Sequence, residues 1–343
     1  MWLANPWDPP VLRRGWVTDR RCTREGFLRD LKARLGEAGF SDERIASVLW
    51  HGGVHLAGRP CGAATLPEEV AAHTAVVVYA FASEPAPLPL EEDALLLDSS
   101  GVVAVNKPAW TTVQGTRASQ RLSLEAVLRA RLGCKALTAL HRLDRETSGI
   151  VLFARDRESA ARLGREFAAR RPLRRYLALV SPRPREQRWE VRGFLARVLH
   201  PTRFRFALYD TPGAGRRASH TRFLRLGTRE DATLVLAEPT TGRTHQLRVH
   251  LAQGGTPIVG DALYGAAPEP PGTRTQLHAA WLRVRIDATP GASPIELEAP
   301  PPHDFASAFA RVPARHAACV EPLPSPGRAR SRAEPRGADR RPA

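Results

Sequence analysis

The sequence has few cysteines and no long apolar run. Its four cysteines (Cys22, Cys61, Cys134, Cys319) are widely separated, without a C-x-x-C pair or a nearby histidine cluster. This spacing argues against a zinc site and against a disulfide framework, so we expect no metal. No apolar run approaches the ~20 residues of a membrane span, and the first residues lack the basic start and apolar stretch of a signal peptide. We therefore expect a cytoplasmic protein with no membrane partner.

Lysine is also scarce, occurring only at Lys32, Lys107 and Lys135, whereas arginine is abundant. The net charge is +16, which indicates a polyanionic partner, nucleic acid first. The arginine accompanies abundant alanine, glycine and proline, a composition typical of a codon bias. The choice of arginine over lysine therefore says little about function, whereas the excess of positive charge remains informative.

The 343 residues fit one large domain or two. Composition and patterning divide the chain into an irregular N-terminal arm (1–18), a small N-terminal domain (19–82), a proline-rich linker (83–91), a large domain (92–310) and a disordered basic tail (320–343). The tail is rich in arginine and proline and almost free of apolar residues, so no packed structure is expected there. It could add RNA affinity or be inert.

Apolar spacing predicts the secondary structure around these boundaries. In the small domain, Phe27, Leu31 and Leu35 recur at helical spacing, a second helix starts near Ser41, and short strands follow. In the large domain, Asp156 is a predicted N-cap, and the chain between residues 189 and 237 alternates apolar and basic residues as an antiparallel sheet does.

The most charge-dense stretch of the chain is the loop HRLDRETSG, which begins at His141 and precedes the apolar strand Ile150–Ala154. A strand of this composition is buried, so the loop is held in place at its entrance. Reactive groups tend to occur on loops that a rigid scaffold holds.

A second distinctive segment, TGRTHQLRVHLAQGGTPIVGDALYG, runs from Thr241 to Gly265. Thr244 is predicted to cap a helix that begins there, whose N–H groups and positive dipole end would face an anion. Leu247 and Leu251, four residues apart, would pack that helix inward.

Together the two segments resemble, nearly residue for residue, the signatures of the RluA-type RNA pseudouridine synthases, and the resemblance covers roughly residues 92–306. It implies an α+β fold, a mixed and mostly antiparallel sheet with flanking helices and a central cleft. It also implies an enzyme that isomerises uridines in ribosomal or transfer RNA without a cofactor, and we expect a monomer. Residues 19–82 resemble the small RNA-binding module first described in a ribosomal small-subunit protein, or are an unrelated α/β cap.

The resemblance also assigns catalytic roles. Asp144 would be the carboxylate that acts at the sugar, as nucleophile or as base. Tyr176 would lie against the target base. Arg248 would be the cationic partner of Asp144, with Arg243 as its rival or, alternatively, as a ligand of phosphate or base.

The remaining candidate residues would bind substrate. Arg142 would enter the space left by the flipped uridine, where a guanidinium is suited to stacking. Thr244 and His245 complete the predicted binding set, together with His141, which would act mainly by structuring the loop. No catalytic role is expected for His245, Asp261 or Tyr264, and Asp261 would shape a turn.

One loop departs from the family pattern. Trp110–Gln114 stands where members continue with a glycine and a His-Pro pair, so no role is predicted for it. The alternative function is a catalytically silent RNA-binding or ribosome-assembly factor on the same fold. Such a factor would have lost the carboxylate, tyrosine or arginine, all of which are present. A glycoside hydrolase needs two carboxylates flanking the bond, and Glu146 is only two residues from Asp144 in a tight loop, which excludes that reading.

Overall fold

The computed structural model describes residues 11–306 except for 87, 89, 100, 199–204, 230–231, 266–273 and 288–292. The predictions for residues 1–10, 307–310 and the basic tail fall outside this range. Among the described residues, no helix is both long and apolar enough to cross a bilayer.

The N-terminal unit contains two capped helices beside a small sheet. Its elements are β1 (Val11–Val17), β2 (Cys22–Thr23), α1 (Arg24–Glu37), α2 (Asp42–His51), β3 (Val54–Leu56), β4 (Arg59–Cys61), β5 (Glu69–Val70) and β6 (Ala75–Phe81). The side chains of Thr23 and Ser41 accept hydrogen bonds from backbone N–H groups in the first turns of α1 and α2, which fixes where each helix starts. Phe27, Leu31 and Leu35 of α1 are buried against the sheet.

The prediction of an irregular N-terminal arm is wrong for the part of the arm that the structure describes, from residue 11 onward. Val11–Val17 forms strand β1, which pairs antiparallel with β6 at the edge of the sheet β1-β6-β3-β4, while β2 and β5 form a separate pair. The strand was not predicted because most of its side chains are exposed, so it lacks the alternation of a half-buried strand.

The large unit follows a short 3₁₀ turn at Glu92–Ala94. Its elements are β7 (Leu95–Ser99), β8 (Val102–Lys107), α3 (Leu124–Arg131), β9 (Thr138–Ala139), β10 (Ser148–Ala154), α4 (Arg157–Ala168), β11 (Leu173–Val180), β12 (Arg188–Val198), β13 (Arg205–Tyr209), β14 (Arg217–Arg229), β15 (Ala232–Pro239), α5 (Gln246–Gln253), β16 (Leu277–Val284), β17 (Ile295–Glu298) and α6 (His303–Ala306).

Eleven strands of the described chain form one sheet in the order β13-β12-β14-β15-β11-β16-β10-β8-β7, with β17 added to β16 and β9 to β10. Strands β10 and β16 run parallel, whereas the other described pairs of this sheet are antiparallel. The predicted α+β fold with a mixed, mostly antiparallel sheet is confirmed.

Strand β10 lies inside this sheet, between β16 and β8. All seven of its residues are buried, with Ile150 and Leu152 on one side of the sheet and Val151 and Phe153 on the other. Helix α4 packs on the first side through Leu163 and starts at Asp156, whose side chain accepts from the Ser159 N–H as predicted. The loop that precedes β10 is therefore attached to a fully buried strand that is packed on both faces.

Candidate active site

One cleft of the large unit contains all the predicted site residues. The cleft lies between the loop before β10, strand β11 and the start of α5, and its lining includes His141, Arg142, Asp144, Tyr176, Arg243, Thr244, His245 and Arg248. The loop and α5 lie about a hundred residues apart in the sequence and meet because β10 and β11 flank β16 in the sheet.

Asp144 and Arg248 form an ion pair in this cleft. The Nη1 of Arg248 donates to Oδ2 of Asp144 at 3.2 Å. On its other edge Arg248 makes two bonds to Asp261, Nε to Oδ2 at 2.8 Å and Nη2 to Oδ1 at 2.7 Å. The Asp261 side chain is fully buried, whereas that of Asp144 is 27% exposed. Asp261 therefore fixes the guanidinium, and Asp144 remains open to a ligand.

The surroundings of Arg248 keep it charged. Burial by itself disfavours the guanidinium charge, but the hydrogen bonds and negative charge of Asp261, together with Asp144, raise the pKa of Arg248 above its ordinary value. A buried cation is tolerated where it is paired and its donors are satisfied. The cleft thus holds a fixed positive charge beside the Asp144 carboxylate.

His245 approaches the same carboxylate oxygen from α5. The Phe206 N–H donates to Oη of Tyr264 (2.9 Å), and the same hydroxyl hydrogen-bonds Nδ1 of His245 (2.8 Å). Burial lowers the pKa of His245, partly opposed by Asp144. The Nε2 of His245 lies 3.9 Å from Oδ2 of Asp144.

Tyr176 lies on β11 and packs against two neighbouring core clusters on one face of the sheet, one around Phe153 and Ala279 and the other around Ala178 and Leu277. Burial raises the pKa of its phenol, opposed by Arg174 and reinforced by Asp144. Tyr176 is therefore a neutral hydroxyl on an aromatic ring at the cleft wall, with an aromatic surface large enough to contact a planar base.

The backbone of the Asp144 loop is held from two sides. The Nζ of Lys107 is buried and donates to the carbonyls of Pro108 (3.0 Å), Thr111 (2.8 Å) and Arg145 (3.1 Å). On the other side, Oε2 of Glu146 accepts from the N–H (3.1 Å) and the hydroxyl (2.6 Å) of Thr275. Burial lowers the pKa of Lys107 to about 7, although Asp144 opposes the shift.

His141 is integrated into the protein interior. Its Nε2 accepts the Leu152 N–H at 3.1 Å, and its ring stacks on Phe167 with centroids 5.1 Å apart. Burial, with Arg174 nearby, lowers the pKa of His141 to about 3. These contacts give His141 a structural function in the loop, while Arg142 beside it is exposed on the cleft.

The predicted capping role of Thr244 is wrong. Helix α5 begins at Gln246, and the preceding residue is His245, in the left-handed conformation at φ 56° without a side-chain cap. The turn is instead closed by the Gln246 side chain, whose Oε1 accepts from the Thr241 hydroxyl (2.7 Å) and the Arg243 N–H (3.0 Å). Thr244 is exposed in the cleft lining.

Arg243 lies in an electropositive flank of the cleft. Its Nε donates to the Ala218 carbonyl at 3.1 Å. Burial and the neighbouring charges of Arg170 and Arg217 lower its pKa. Like charges gathered around one guanidinium are stabilised by an anion, so this flank suits a phosphate.

Sequence reasoning did not assign three supporting residues, Asp261, Tyr264 and Lys107. Asp261 does shape a turn, since its Oδ1 accepts from the N–H groups of Leu263 and Tyr264, both at 3.0 Å. It was not recognised as the partner of Arg248, although an acidic residue among the apolar positions of the second motif was an available signal. The signal for Lys107 was a lysine at the end of an apolar strand in a chain with few lysines. Within the described residues, no group of three or more His, Cys, Asp or Glu side chains could hold a metal ion.

Comparisons with known proteins agree with this architecture. Residues 101–253 match the family model described as RNA pseudouridylate synthase. The chain is 33% identical over 214 residues to ribosomal large subunit pseudouridine synthase C of Yersinia pestis, an alignment that covers 61% of this chain and 65% of that protein. It therefore spans slightly less than two thirds of that relative.

Two further alignments cover most of the length of the matched protein. An uncharacterized RNA pseudouridine synthase of Zymomonas mobilis is 35% identical over 220 residues, which are 63% of this chain and 96% of that protein. The structure of human RNA pseudouridylate synthase domain containing 1 superposes with a TM-score of 0.53 at 29% identity, covering 63% of this chain and 86% of that one. The family resemblance in the sequence is confirmed, and the chain belongs to the RNA pseudouridylate synthase family.

Proposed function

We propose that this protein is an RNA pseudouridine synthase that converts uridine to pseudouridine in ribosomal or transfer RNA. The observation that carries the proposal is the Asp144 carboxylate, partly exposed in a cleft and paired with an arginine that a second, fully buried aspartate holds in place. A fixed charge arrangement of this kind stabilises charge that develops during a reaction without reorganising.

The proposed reaction breaks the bond between uracil N1 and ribose C1′ and forms a bond between C5 and C1′. The hydrogen on C5 is lost and N1 gains one, so no net oxidation occurs and no cofactor is needed. Asp144 acts at the sugar, as nucleophile or as base. Arg248, which donates to Asp144, supplies a compensating positive charge beside the carboxylate when the base displaces water. Tyr176 lies against the base and helps remove the C5 proton.

The other cleft residues would position the RNA. Arg142, exposed at the cleft, takes the place of the extruded uridine, for which flipping costs a few kcal/mol. Arg243 binds a flanking phosphate, Thr244 and His245 offer hydrogen bonds to the substrate, and His141 holds the loop. Residues 19–82 form an RNA-binding module that helps to choose the target. The enzyme is a cytoplasmic monomer, as ribosomal and transfer RNA substrates allow.

The first RNA to examine is ribosomal large-subunit RNA, because relatives are named for that substrate. The experiment compares pseudouridine maps, made by chemical labelling, of cells with the wild-type gene, a deletion, and the deletion complemented with Asp144→Asn. Positions lost in the deletion and restored by the wild type alone would establish both the activity and its target.

The matched measurement uses purified protein. We expect Asp144→Asn to lower turnover at least about 1,000-fold, as removal of a residue that acts directly in the chemistry does, while RNA affinity stays within a few-fold. Full turnover by the variant would refute the assignment of Asp144. A map unchanged by the deletion would favour the alternative, a silent RNA-binding or ribosome-assembly factor.

A further inference from the structure

The segment from Trp110 to Arg121, whose first five residues depart from the family pattern, contacts the N-terminal unit. The Gln120 N–H donates to the His51 carbonyl at 2.8 Å, and Nε2 of His55 bonds the Arg117 carbonyl at 2.9 Å. At its other end the segment joins the catalytic loop through Lys107, which bonds the carbonyls of both Thr111 and Arg145. We name residues 110–121 the bridge segment.

Arginine–aromatic pairs recur along the bridge segment. The guanidinium carbons lie 4.9–5.8 Å from the ring centroids in three such pairs, which are Arg145 with Trp110, Arg117 with Tyr79, and Arg121 with Trp50. The Trp50 side chain is 51% exposed, and Arg117 and Arg121 are exposed as well. Arg145 directly follows Asp144, so the pairs extend from the catalytic loop to helix α2.

Two of these pairs line a cleft between the N-terminal unit and the bridge segment. The lining brings together Tyr79, Trp110, Arg117 and Arg145, with apolar side chains such as Phe81 beside them. Among the described residues of the lining, none is acidic. A cleft that offers aromatic faces and positive charge without carboxylates is complementary to unpaired nucleotides, which present a base plane and a phosphate.

We propose that this cleft, together with Trp50 at the other end of the bridge segment, binds an unpaired stretch of the RNA substrate. The rings stack on bases, and the arginines neutralise phosphates and add cation–π contact. Nucleotides beside the target uridine then pass from the catalytic loop toward the N-terminal unit. The proposal rests on the proposed function in naming the RNA as a substrate, but the binding itself is measurable without turnover.

The test is fluorescence anisotropy of the full-length protein with a short fluorescein-labelled oligouridylate and, separately, with an RNA duplex of equal length at the same salt concentration. Trp50→Ala and Arg117→Ala should each weaken oligouridylate binding about tenfold, since stacking on an aromatic side chain contributes ~1–3 kcal/mol per base. Trp50→Phe, which keeps a ring, should retain most of the affinity. Duplex binding should change less than twofold on Trp50→Ala.

The matched control is Arg29→Ala, which removes the same charge as Arg117→Ala from an exposed position on α1. It should leave oligouridylate binding within about twofold, because the general electrostatic attraction is shared among many arginines. Equal losses of oligouridylate affinity in Arg29→Ala and Arg117→Ala would overturn the proposal, because the overall positive charge of the protein would then explain the binding. Unchanged binding in Trp50→Ala and Arg117→Ala would overturn it as well.

A purely structural role of the pairs is distinguished by stability. If Trp50→Ala and Arg117→Ala lost affinity only where the midpoint of thermal unfolding had also fallen, and regained it at temperatures well below that midpoint, the pairs would only hold the two units together, and the proposal would fail. The outcome is independent of catalysis. Loss of binding in both Arg117→Ala and Trp50→Ala beside normal binding in Asp144→Asn supports the proposal even if no pseudouridine is formed.

Discussion

The two carboxylate oxygens of Asp144 have different surroundings. Arg248 and His245 both approach Oδ2, at 3.2 Å and 3.9 Å, so in the proposed function Oδ1 would be the oxygen that acts at the sugar. The position of Oδ2 depends on Arg248, and that of Arg248 depends on the two bonds from Asp261. Asp261 does not itself line the cleft but bonds Arg248, which does, so we regard it as a positioning residue that acts through Arg248.

Asp261→Asn tests this dependence at the residue scale. The amide keeps the shape of the carboxylate but removes its charge and one acceptor, so Arg248 loses a charge-assisted bond of ~1.5–3 kcal/mol. We expect the rate of the chemical step to fall about 10- to 100-fold, with RNA affinity little changed. Single-turnover formation of pseudouridine at saturating enzyme measures the rate.

The matched control for Asp261→Asn is Asp98→Asn. Asp98 pairs with Arg155 in a similar two-pronged contact, Nε to Oδ1 at 2.7 Å, but lies on edge strand β7 outside the cleft. The control should keep the wild-type rate. An Asp261→Asn variant as fast as the control would show that Arg248 does not need its second carboxylate.

At the scale of elements, the parallel contact between β10 and β16 positions the loop that contains Asp144. The two strands pair through Ser148–Gly149 and His278–Ala279, and Oγ of Ser148 bonds Nδ1 of His278 at 2.9 Å. Gly149 has φ 111°, and a Cβ there would lie 2.3 Å from the Ala279 carbonyl oxygen. The glycine of the loop motif therefore permits the close approach of the two strands.

Gly149→Ala should lower the free energy of unfolding by about 3 kcal/mol or more, because both the positive φ and the backbone contact oppose a methyl group. Urea unfolding measures the change. Gly164→Ala is the matched control, since Gly164 is exposed within α4 with open space around it. The free energy of unfolding of this control should rise by ~0.5–1 kcal/mol, because alanine has a higher helix propensity than glycine. Equal stability of the two variants would contradict this account of β10.

At the scale of the whole molecule, buried histidines make stability depend on pH. His250 and His278 are fully buried, and burial lowers the pKa of each from 6.5 to about 4. The unfolded chain therefore binds protons at these residues near pH 6.5, and the folded chain only near pH 4. Between these values the unfolded state holds more protons, so acidification lowers stability.

In this pH window each of the two histidines should reduce the free energy of unfolding by about 1.4 kcal/mol per pH unit as the pH falls. Urea midpoints measured across the window test the slope. His250→Asn should remove the contribution of one histidine to this slope, whereas His73→Asn, at an exposed position, should leave the slope unchanged. A variant His250→Asn with the full wild-type slope would refute the contribution of His250.

The sequence by itself determined the family, the fold class and the residues of the cleft. Short-range patterns carried this information. The apolar run Ile150–Ala154 became a buried strand, Asp156 became a cap, and two motifs about a hundred residues apart held the candidates that line one cleft. Such features depend on the order of neighbouring side chains, which any chain with this local sequence retains.

Only the tertiary structure decided which long-range partners these residues have. Strand β1 exists because β6 supplies its hydrogen bonds, although its own side chains are mostly exposed. The start of α5 is set by the Gln246 side chain and not by Thr244. Asp261 holds Arg248, and the bridge segment reaches the N-terminal unit, through contacts that no local spacing encodes. Hydrogen bonds between distant segments depend on how the sheet brings their backbones together, so they appear only once the chain is folded.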